Sequence, residues 1–358
     1  MKRRIYLRKT ALFVLVFGLL ISFISGCGGS GAAPSGGAAA SQNAAEVPSL
    51  RIAVQPYLLA VPTYYIMEEG LDVKNGFKLE RSVYVNGTLI NEALGASLWD
   101  VATGGTSAVY GIANFGAQVV ANIDLCSGGT GAYVRPGSRI ANIKDGLGTG
   151  LYGNAAVLKG AKCLLPVGTL NQLNVLKWLE KAGLQPDDVE FVHMDNASAF
   201  QAFKAGEGDI TAFSPPLTFN AEEEGWINGA GGELLGMNIW DPLLANPRTI
   251  DEKYDQIVAY VKLMYEVFDM FAANQELLAE WSIKWQAANG AQLTIENARR
   301  EVASRPFMTS GQARQAPVGD TIYEMAVFFN QTGSLEKDEL AKVQPNLRKD
   351  VIQKVFGL

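Results

Sequence analysis

The sequence predicts an α/β protein of two similar lobes, each a mostly parallel sheet flanked by helices, with a helical C-terminal region that packs on the first lobe. Three observations carry this expectation. Over residues 162–216, short apolar runs (CLLPVG, DVEFVHMD, GDITAFSPP) alternate with segments whose apolar residues recur at helical spacing. Leu170, Leu173, Leu176 and Leu179 mark one such segment, and Ala197, Phe200 and Phe203 the next. Strand–helix–strand–helix–strand order argues for parallel strands covered by helices, with loops opening at the strands' carboxyl ends. The same grammar lies upstream: residues 93–100 (ALGASLWD) align without a gap on 202–209 (AFKAGEGD), each closing a helix and opening a strand. Beyond Pro216 the text changes character. Residues 254–286 are strongly helical, with Trp281 and Trp285 at i,i+4, and helical segments follow over 295–304, 320–330 and 346–356.

The start of the chain stands apart. Lys2, Arg3, Arg4, Arg8 and Lys9 form a basic head, and an uncharged apolar run follows over 11–24. That run is short for a membrane span and ends at small residues, the pattern of a secretory signal over 1–26. Its end, Ile24-Ser25-Gly26-Cys27, resembles a bacterial lipobox, and the resemblance implies that Cys27 becomes the lipidated first residue of the mature chain. Residues 27–47, mostly Gly, Ala and Ser, have nothing to bury and are expected to be a flexible tether. Export, with a lipid anchor at the outer face of a cell membrane, is the expected location; whether that face opens on a periplasm or on the cell surface is left open.

In the first lobe a strand is expected over 50–55, where apolar and polar residues alternate. The loop after it brings Gln55 and Tyr57 to the strand's carboxyl end, toward any cleft. A helix over 62–69 has Pro62 in its first turn. A strand over 77–85, a helix over 88–97 and a strand over 100–103 follow. Gly104, Gly105, Thr106 and Ser107 then precede an apolar helix; such a start brings backbone N–H groups close to a ligand, or is a plain capped turn. Another strand is expected over 118–123, and 127–135 looks like the first crossover between lobes. Pro166, Val167, Gly168 and Thr169 hold the strand-to-helix position in the second lobe, where free N–H groups favour an anionic or polar ligand. The expected lobes are 48–130 with 218–358, and 131–217.

Composition narrows the function. Of 30 basic and 36 acidic residues, five basic ones lie in the leader, so the mature chain carries 25 against 36, a net of −11. That balance disfavours nucleic acid or an anionic membrane surface as partner. Lipidation consumes one of the three cysteines; Cys126 and Cys163 are expected as buried free thiols, the alternative being a bridge that locks the lobes. His193 is the one histidine, which leaves a Ser–His relay or a His-rich metal site almost nothing to draw on. It sits on a strand beside Val192 and Met194 and is expected as a satisfied strand-end residue, or as one facing the cleft. Glu222, Glu223 and Glu224 read as a solvated helix face, and Asp187 with Asp188 as turn chemistry. No GxxxxGK[ST] loop occurs. No metal or cofactor is expected.

Taken in order, several stretches resemble the solute-binding proteins of ABC importers in the nitrate/sulfonate/taurine group. They are Ile52-Ala53-Val54, residues 93–106, Ile143-Lys144-Asp145, Val167-Gly168-Thr169, the strand start at Asp187-Asp188-Val189, residues 202–216, and the tail segments FMTSG and VFFNQTGS. The resemblance covers about 50–356. It implies a type II periplasmic-binding-protein fold, two lobes joined by two strands, one small-molecule ligand held between them, and a permease as partner of what is expected to be a monomer. It places the ligand against Gln55, Tyr57, Gly105, Thr106 and Ser107 from the first lobe. Gly168, Thr169, Asp195, Asn196 and Ser214 would meet it from the second. Two departures stand out: those loops hold no arginine of the kind expected to clamp a sulfonate, since Arg135 lies at the hinge, and residues 143–162 are longer than the group's short hairpin. A neutral, aromatic or weakly acidic organic solute therefore fits as well as an anion. A binding protein feeding a sensor is the alternative with the same fold. An enzyme like the group's thiamine-precursor synthases would need a histidine-bearing, cysteine-rich motif that this chain lacks.

Overall fold

The computed structural model describes residues 47–358; the leader, Cys27 and all but the last residue of the tether lie outside them. Ten strands of the described residues build two five-stranded sheets. The first contains β1 (Ser49–Val54), β2 (Lys78–Val83), β3 (Val101–Thr103), β4 (Gln118–Leu125) and β10 (Trp240–Ala245), in the order β2-β1-β3-β10-β4. The second contains β5 (Gly131–Val134), β6 (Lys162–Leu165), β7 (Glu190–His193), β8 (Ile210–Phe213) and β9 (Ile227–Gly231), in the order β7-β6-β8-β5-β9. Both belong to one compact unit.

The two sheets share a topology. β1 lies between β2 and β3, parallel to both, as β6 does between β7 and β8. β10 runs antiparallel between β3 and β4, as β5 does between β8 and β9. In each sheet four strands thus run one way, and the reversed strand is the one that has just crossed from the other lobe. The aligned segments 93–100 and 202–209 occupy equivalent places. The Asp100 carboxylate accepts from the Arg51 N–H of β1 at 2.9 Å, and Asp209 accepts from the Lys162 N–H of β6 at 2.9 Å. The two aspartate N–H groups donate back to the Arg51 and Lys162 carbonyls at 2.8 Å. Each aspartate therefore registers its strand, β3 or β8, against the central one of the three parallel neighbours, β1 or β6.

Two strands depart from expectation. The second lobe, expected to close at 217, continues to β9, whose sequence INGAG has one β-branched residue, Ile227, beside two glycines. β10 returns the chain to the first sheet although it contains Pro242, which has no N–H to give a ladder. The sheet accommodates it with register shifts on either side of Pro242–Leu243, while the Pro242 carbonyl still accepts from Gly104 N–H at 2.8 Å.

The C-terminal helices pack on the first sheet, as the apolar periodicity of 254–286 requires. That stretch is two helices, Tyr254–Ala273 and Gln275–Ala288, parted at Asn274, whose side chain caps the second by accepting from Leu277 N–H at 3.1 Å. Tyr260, Phe268, Phe271, Trp285 and Phe329 are fully buried in this core, each contributing about 2–3 kcal/mol of hydrophobic stabilisation. The second lobe has a smaller core around Trp178, with Phe200, Phe203, Phe213 and Trp226 clustered on its other face. Cys126 and Cys163 are buried and unbonded to each other, one beside each sheet; burial pushes both thiols above their usual range. No helix among the described residues is long and apolar enough to cross a membrane.

Candidate functional site

The carboxyl ends of β1 and β3 face those of β6, β7 and β8 across a cleft of about 580 Å³. Gln55, Tyr57, Gly105, Thr106 and Ser107 line one wall, and Thr169, Asp195, Asn196 and Ser214 the other. Gly168, expected among them, is absent from the lining. Its φ of +78° turns the chain, and a Cβ added there would lie 3.1 Å from the Tyr110 ring of the first lobe. It is a contact between the lobes, at a left-handed position that suits glycine.

Each first-wall residue is held from behind. The Tyr57 carbonyl accepts from Trp285 Nε1, and the Pro56 carbonyl from Gln286 Nε2, both at 3.1 Å, so the C-terminal helix fixes the loop after β1. A Cβ at Gly104 would lie 3.0 Å from Leu244 and 3.1 Å from the Pro242 carbonyl, so glycine lets the turn sit on β10. Asn91 Nδ2 donates to the Ser107 carbonyl at 2.9 Å and anchors the turn's far end. The N–H groups of Gly105, Thr106 and Ser107 donate to no protein acceptor among the described residues. That makes this helix start an open set of donors.

On the second wall several donors are already engaged, while the N–H groups of Thr169, Leu170 and Asn171 donate to no protein acceptor among the described residues. Asp195 caps the helix Asn196–Lys204 by accepting from Ser198 N–H at 2.9 Å. Hydrogen bonds from the Ser198 hydroxyl and N–H hold the Asp195 carboxyl below its usual range. Gly168 N–H donates to Gln172 Oε1 at 2.7 Å, and the Thr169 hydroxyl to the Pro166 carbonyl at 2.7 Å. Val167 N–H donates to His193 Nδ1 at 3.1 Å, so His193 is both a satisfied strand-end residue and part of the cleft wall. Asn171 Nδ2 donates to Asn196 Oδ1 at 2.8 Å, and the Ser214 hydroxyl to Asn171 Oδ1 at 3.3 Å. Burial pushes the Tyr57 phenol up, against the Asn196 amide and the Arg305 charge.

The floor holds residues that no local pattern announced. Arg305, only 4 % exposed, lines the cleft from the end of the helix Ile295–Ser304. Its Nη2 donates to Asp124 Oδ2 at 2.6 Å and to Asp241 Oδ2 at 3.2 Å. Glu301 lies fully buried nearby, with neither carboxylate oxygen partnered. Burial raises Asp124 against the opposing pull of Arg305, and raises Glu301 to about 7. Burial and the Asp124 charge push Asp241 well up. Burial works against the Arg305 charge, but the surrounding carboxylates outweigh it and hold the guanidinium above its usual range. One cation thus faces three carboxyl groups.

The remaining acidic groups serve the fold. Glu222 pairs with Arg300 and Glu224 with Lys204 at partly exposed positions, and Asp188 accepts from Gln185 N–H in a short 3-10 turn. Among the described residues no group of three or more His, Cys, Asp and Glu is placed to hold a metal ion.

A protein of Brachyspira hyodysenteriae described as an ABC transporter periplasmic binding protein is 34% identical over 356 residues, which cover 98% of this chain and 100% of the relative. Among solved structures, the alkanesulfonate-binding protein SsuA of Xanthomonas axonopodis pv. citri, bound to MOPS, superposes with a TM-score of 0.66 at 19% identity, covering 85% of this chain and 99% of SsuA. The periplasmic nitrate-binding protein NrtA of Synechocystis PCC 6803 superposes with a TM-score of 0.69 at 14% identity, covering 87% of this chain and 89% of NrtA. At such identities these two likenesses speak for the fold alone. No family model matches the chain.

Proposed function

The chain belongs to the ABC transporter periplasmic binding proteins, and from that membership we propose that it captures a small organic or anionic solute in the cleft between its sheets and hands it to an importer's permease. Capture takes place on the outer side of the membrane, by a monomer tethered through lipid on Cys27, without catalysis. The observation that carries this reading is the cleft itself, lined by strand-end loops of both sheets. A ligand touching both walls favours the closed arrangement over the open one, and the connections β4–β5 and β9–β10 are where the lobes would hinge.

The protein's own contacts between lobes are modest. Arg300 pairs with Glu222 and lies over the Phe219 ring at 4.4 Å, and Lys177 Nζ lies 4.0 Å from the Phe328 ring centre. Exposed pairs of this kind contribute about 1 kcal/mol or less each, whereas a near-complete shift between states needs about 5 kcal/mol of differential binding. Most of that difference must come from the ligand. Sulfonates and nitrate, the ligands named for the two solved relatives, are candidate solutes here, beside aromatic and heterocyclic compounds.

Native mass spectrometry of the purified protein, after exposure to a deproteinised cell extract and desalting, should show a discrete added mass. If none appears and no solute class raises the melting temperature, the capture reading is rejected. Replacing Cys27 with Ala should move the protein from the membrane to the soluble fraction; unchanged partitioning would reject the lipid anchor.

A further inference from the structure

The balance of donors, acceptors and charge in the cleft narrows the solute class. Resting on the capture reading above, we propose that the cleft selects an uncharged organic solute with an amide-like edge, an N–H beside a C=O, and excludes sulfonates, nitrate and other anions.

Charge argues first. Arg305 is the one lysine or arginine on the cleft wall among the described residues. Its Nη2 is taken by Asp124 and Asp241, and Glu301 is buried close by. An arriving anion would therefore meet a guanidinium whose Nη2 is already engaged, leaving Nε unpartnered, and would face the ionised Asp195 carboxylate on the second wall, where surplus negative charge is costly. The free N–H groups at the helix starts Gly105–Ser107 and Thr169–Asn171 would attract an anion, but among the described residues no unpaired lysine or arginine stands beside them, and part of the second wall is already engaged. Asp195 places its own carboxylate at one start, and Gln172 and His193 occupy the N–H groups of Gly168 and Val167.

What remains open is a matched pair of functions side by side. The N–H groups of the Gly105–Ser107 turn are free donors. Asp241, with 4 % side-chain exposure, leaves Oδ1 without a partner. A Cβ placed on Gly105 would lie 3.9 Å from that oxygen and 3.8 Å from Gln55 Nε2, so both functions adjoin the same spot. A solute C=O can accept from the turn while its N–H donates to Asp241. Burial and the neighbouring Asp124 favour a protonated Asp241, whose O–H is taken by the Asp124 carboxylate, so Asp241 offers the solute an acceptor in either form. The cleft's volume of about 580 Å³ also falls in the range of about 300–1,000 Å³ typical of organic-ligand pockets.

The test equilibrates the purified protein, dialysed free of bound solute, with uracil, hydantoin, benzamide, nitrate, ethanesulfonate, benzenesulfonate and MOPS, and separately with a deproteinised cell extract. Native mass spectrometry reads the retained masses, and calorimetry their affinities. The expected result is retention of an uncharged amide-type compound and of none of the anions. Retention of nitrate or a sulfonate with equal or higher affinity overturns the inference and leaves capture standing. Retention of nothing from panel or extract overturns capture and the inference with it. For the retained solute, Asp241→Ala, which removes the acceptor, should weaken binding about tenfold or more. Gly105→Ala should do the same; its Cβ meets only ordinary van der Waals contacts, so it tests the site even if Asp241→Ala does not fold. Wild-type affinity in Gly105→Ala with a folded circular-dichroism spectrum would overturn the assignment of this spot.

Discussion

Replacing Glu301 with Gln should flatten the fall in stability that the wild type shows between about pH 4.5 and about 7. Glu301 is fully buried and its carboxylate oxygens have no partners. Burial, with the Asp124 charge reinforcing it and Arg305 opposing it, carries the carboxyl from an ordinary 4.5 to about 7. Between those values the folded protein holds a proton that the unfolded chain has released. Stability therefore falls as pH rises through this window and levels off above it. The displacement corresponds to about 3 kcal/mol at about 1.4 kcal/mol per unit, a large share of the roughly 5–15 kcal/mol that holds a domain folded. Gln has nearly the same shape and does not ionise. Asp124 and Asp241 are raised in both proteins and act in the same direction, so they largely cancel in the comparison. The assay is urea denaturation of both proteins at pH 4.5, 6, 7 and 8. The variant should gain about 3 kcal/mol relative to wild type across the series. An offset that stays constant with pH would refute the buried-proton argument.

Other outcomes follow from the same structure. Asp100 is fully buried, bonds Arg51 and Lys253, and is held at about 2, burial opposing and these partners outweighing it. Asp209, its counterpart, is 40 % exposed. Asp100→Ala should cost about 3–5 kcal/mol and Asp209→Ala about 1 kcal/mol in denaturant melts; equal costs would deny the difference in burial. Asp100 should also lose its stabilising effect as pH falls from about 4 toward about 2, which Asp100→Asn would remove. Cys126 and Cys163, buried and with raised thiols, should react with iodoacetamide only at the rate of unfolding. Rapid labelling of the native protein would contradict that burial. Arg300→Ala should weaken solute binding by less than about tenfold, since the pair it breaks is partly exposed; a larger loss would make this contact a principal clasp.

The parts of the fold legible in the sequence are those written in local periodicity. The leucines of 170–179 face a core at helical spacing, and the aligned segments ending at Asp100 and Asp209 make the same hydrogen bonds to their sheets. Because loops at strand carboxyl ends face the cleft in such folds, strand ends alone lead to Gln55, Thr106 and Asn196. The rest depends on distant partners. β10 forms across a proline because the gap between β3 and β4 needs a strand, and β9 forms in glycine-rich sequence because β5 would otherwise have an open edge. The floor of the cleft joins residues 181 and 64 positions apart in the chain, Arg305 with Asp124 and with Asp241. No periodicity spans such distances, so an arginine absent from the expected loops arrives from the C-terminal helices instead. Gly168 misled for a local reason: it lies in the right turn, but its φ points that part of the turn at Tyr110.

The most direct test of capture between the lobes is the affinity of the retained solute for two single variants, one per wall: Thr106→Ala and Asn196→Ala. Both side chains face the cleft and neither belongs to a main core, so each variant should keep the wild-type circular-dichroism spectrum. A solute held by both walls should lose affinity about tenfold or more in each. Wild-type affinity in both variants would contradict the account and place the solute elsewhere.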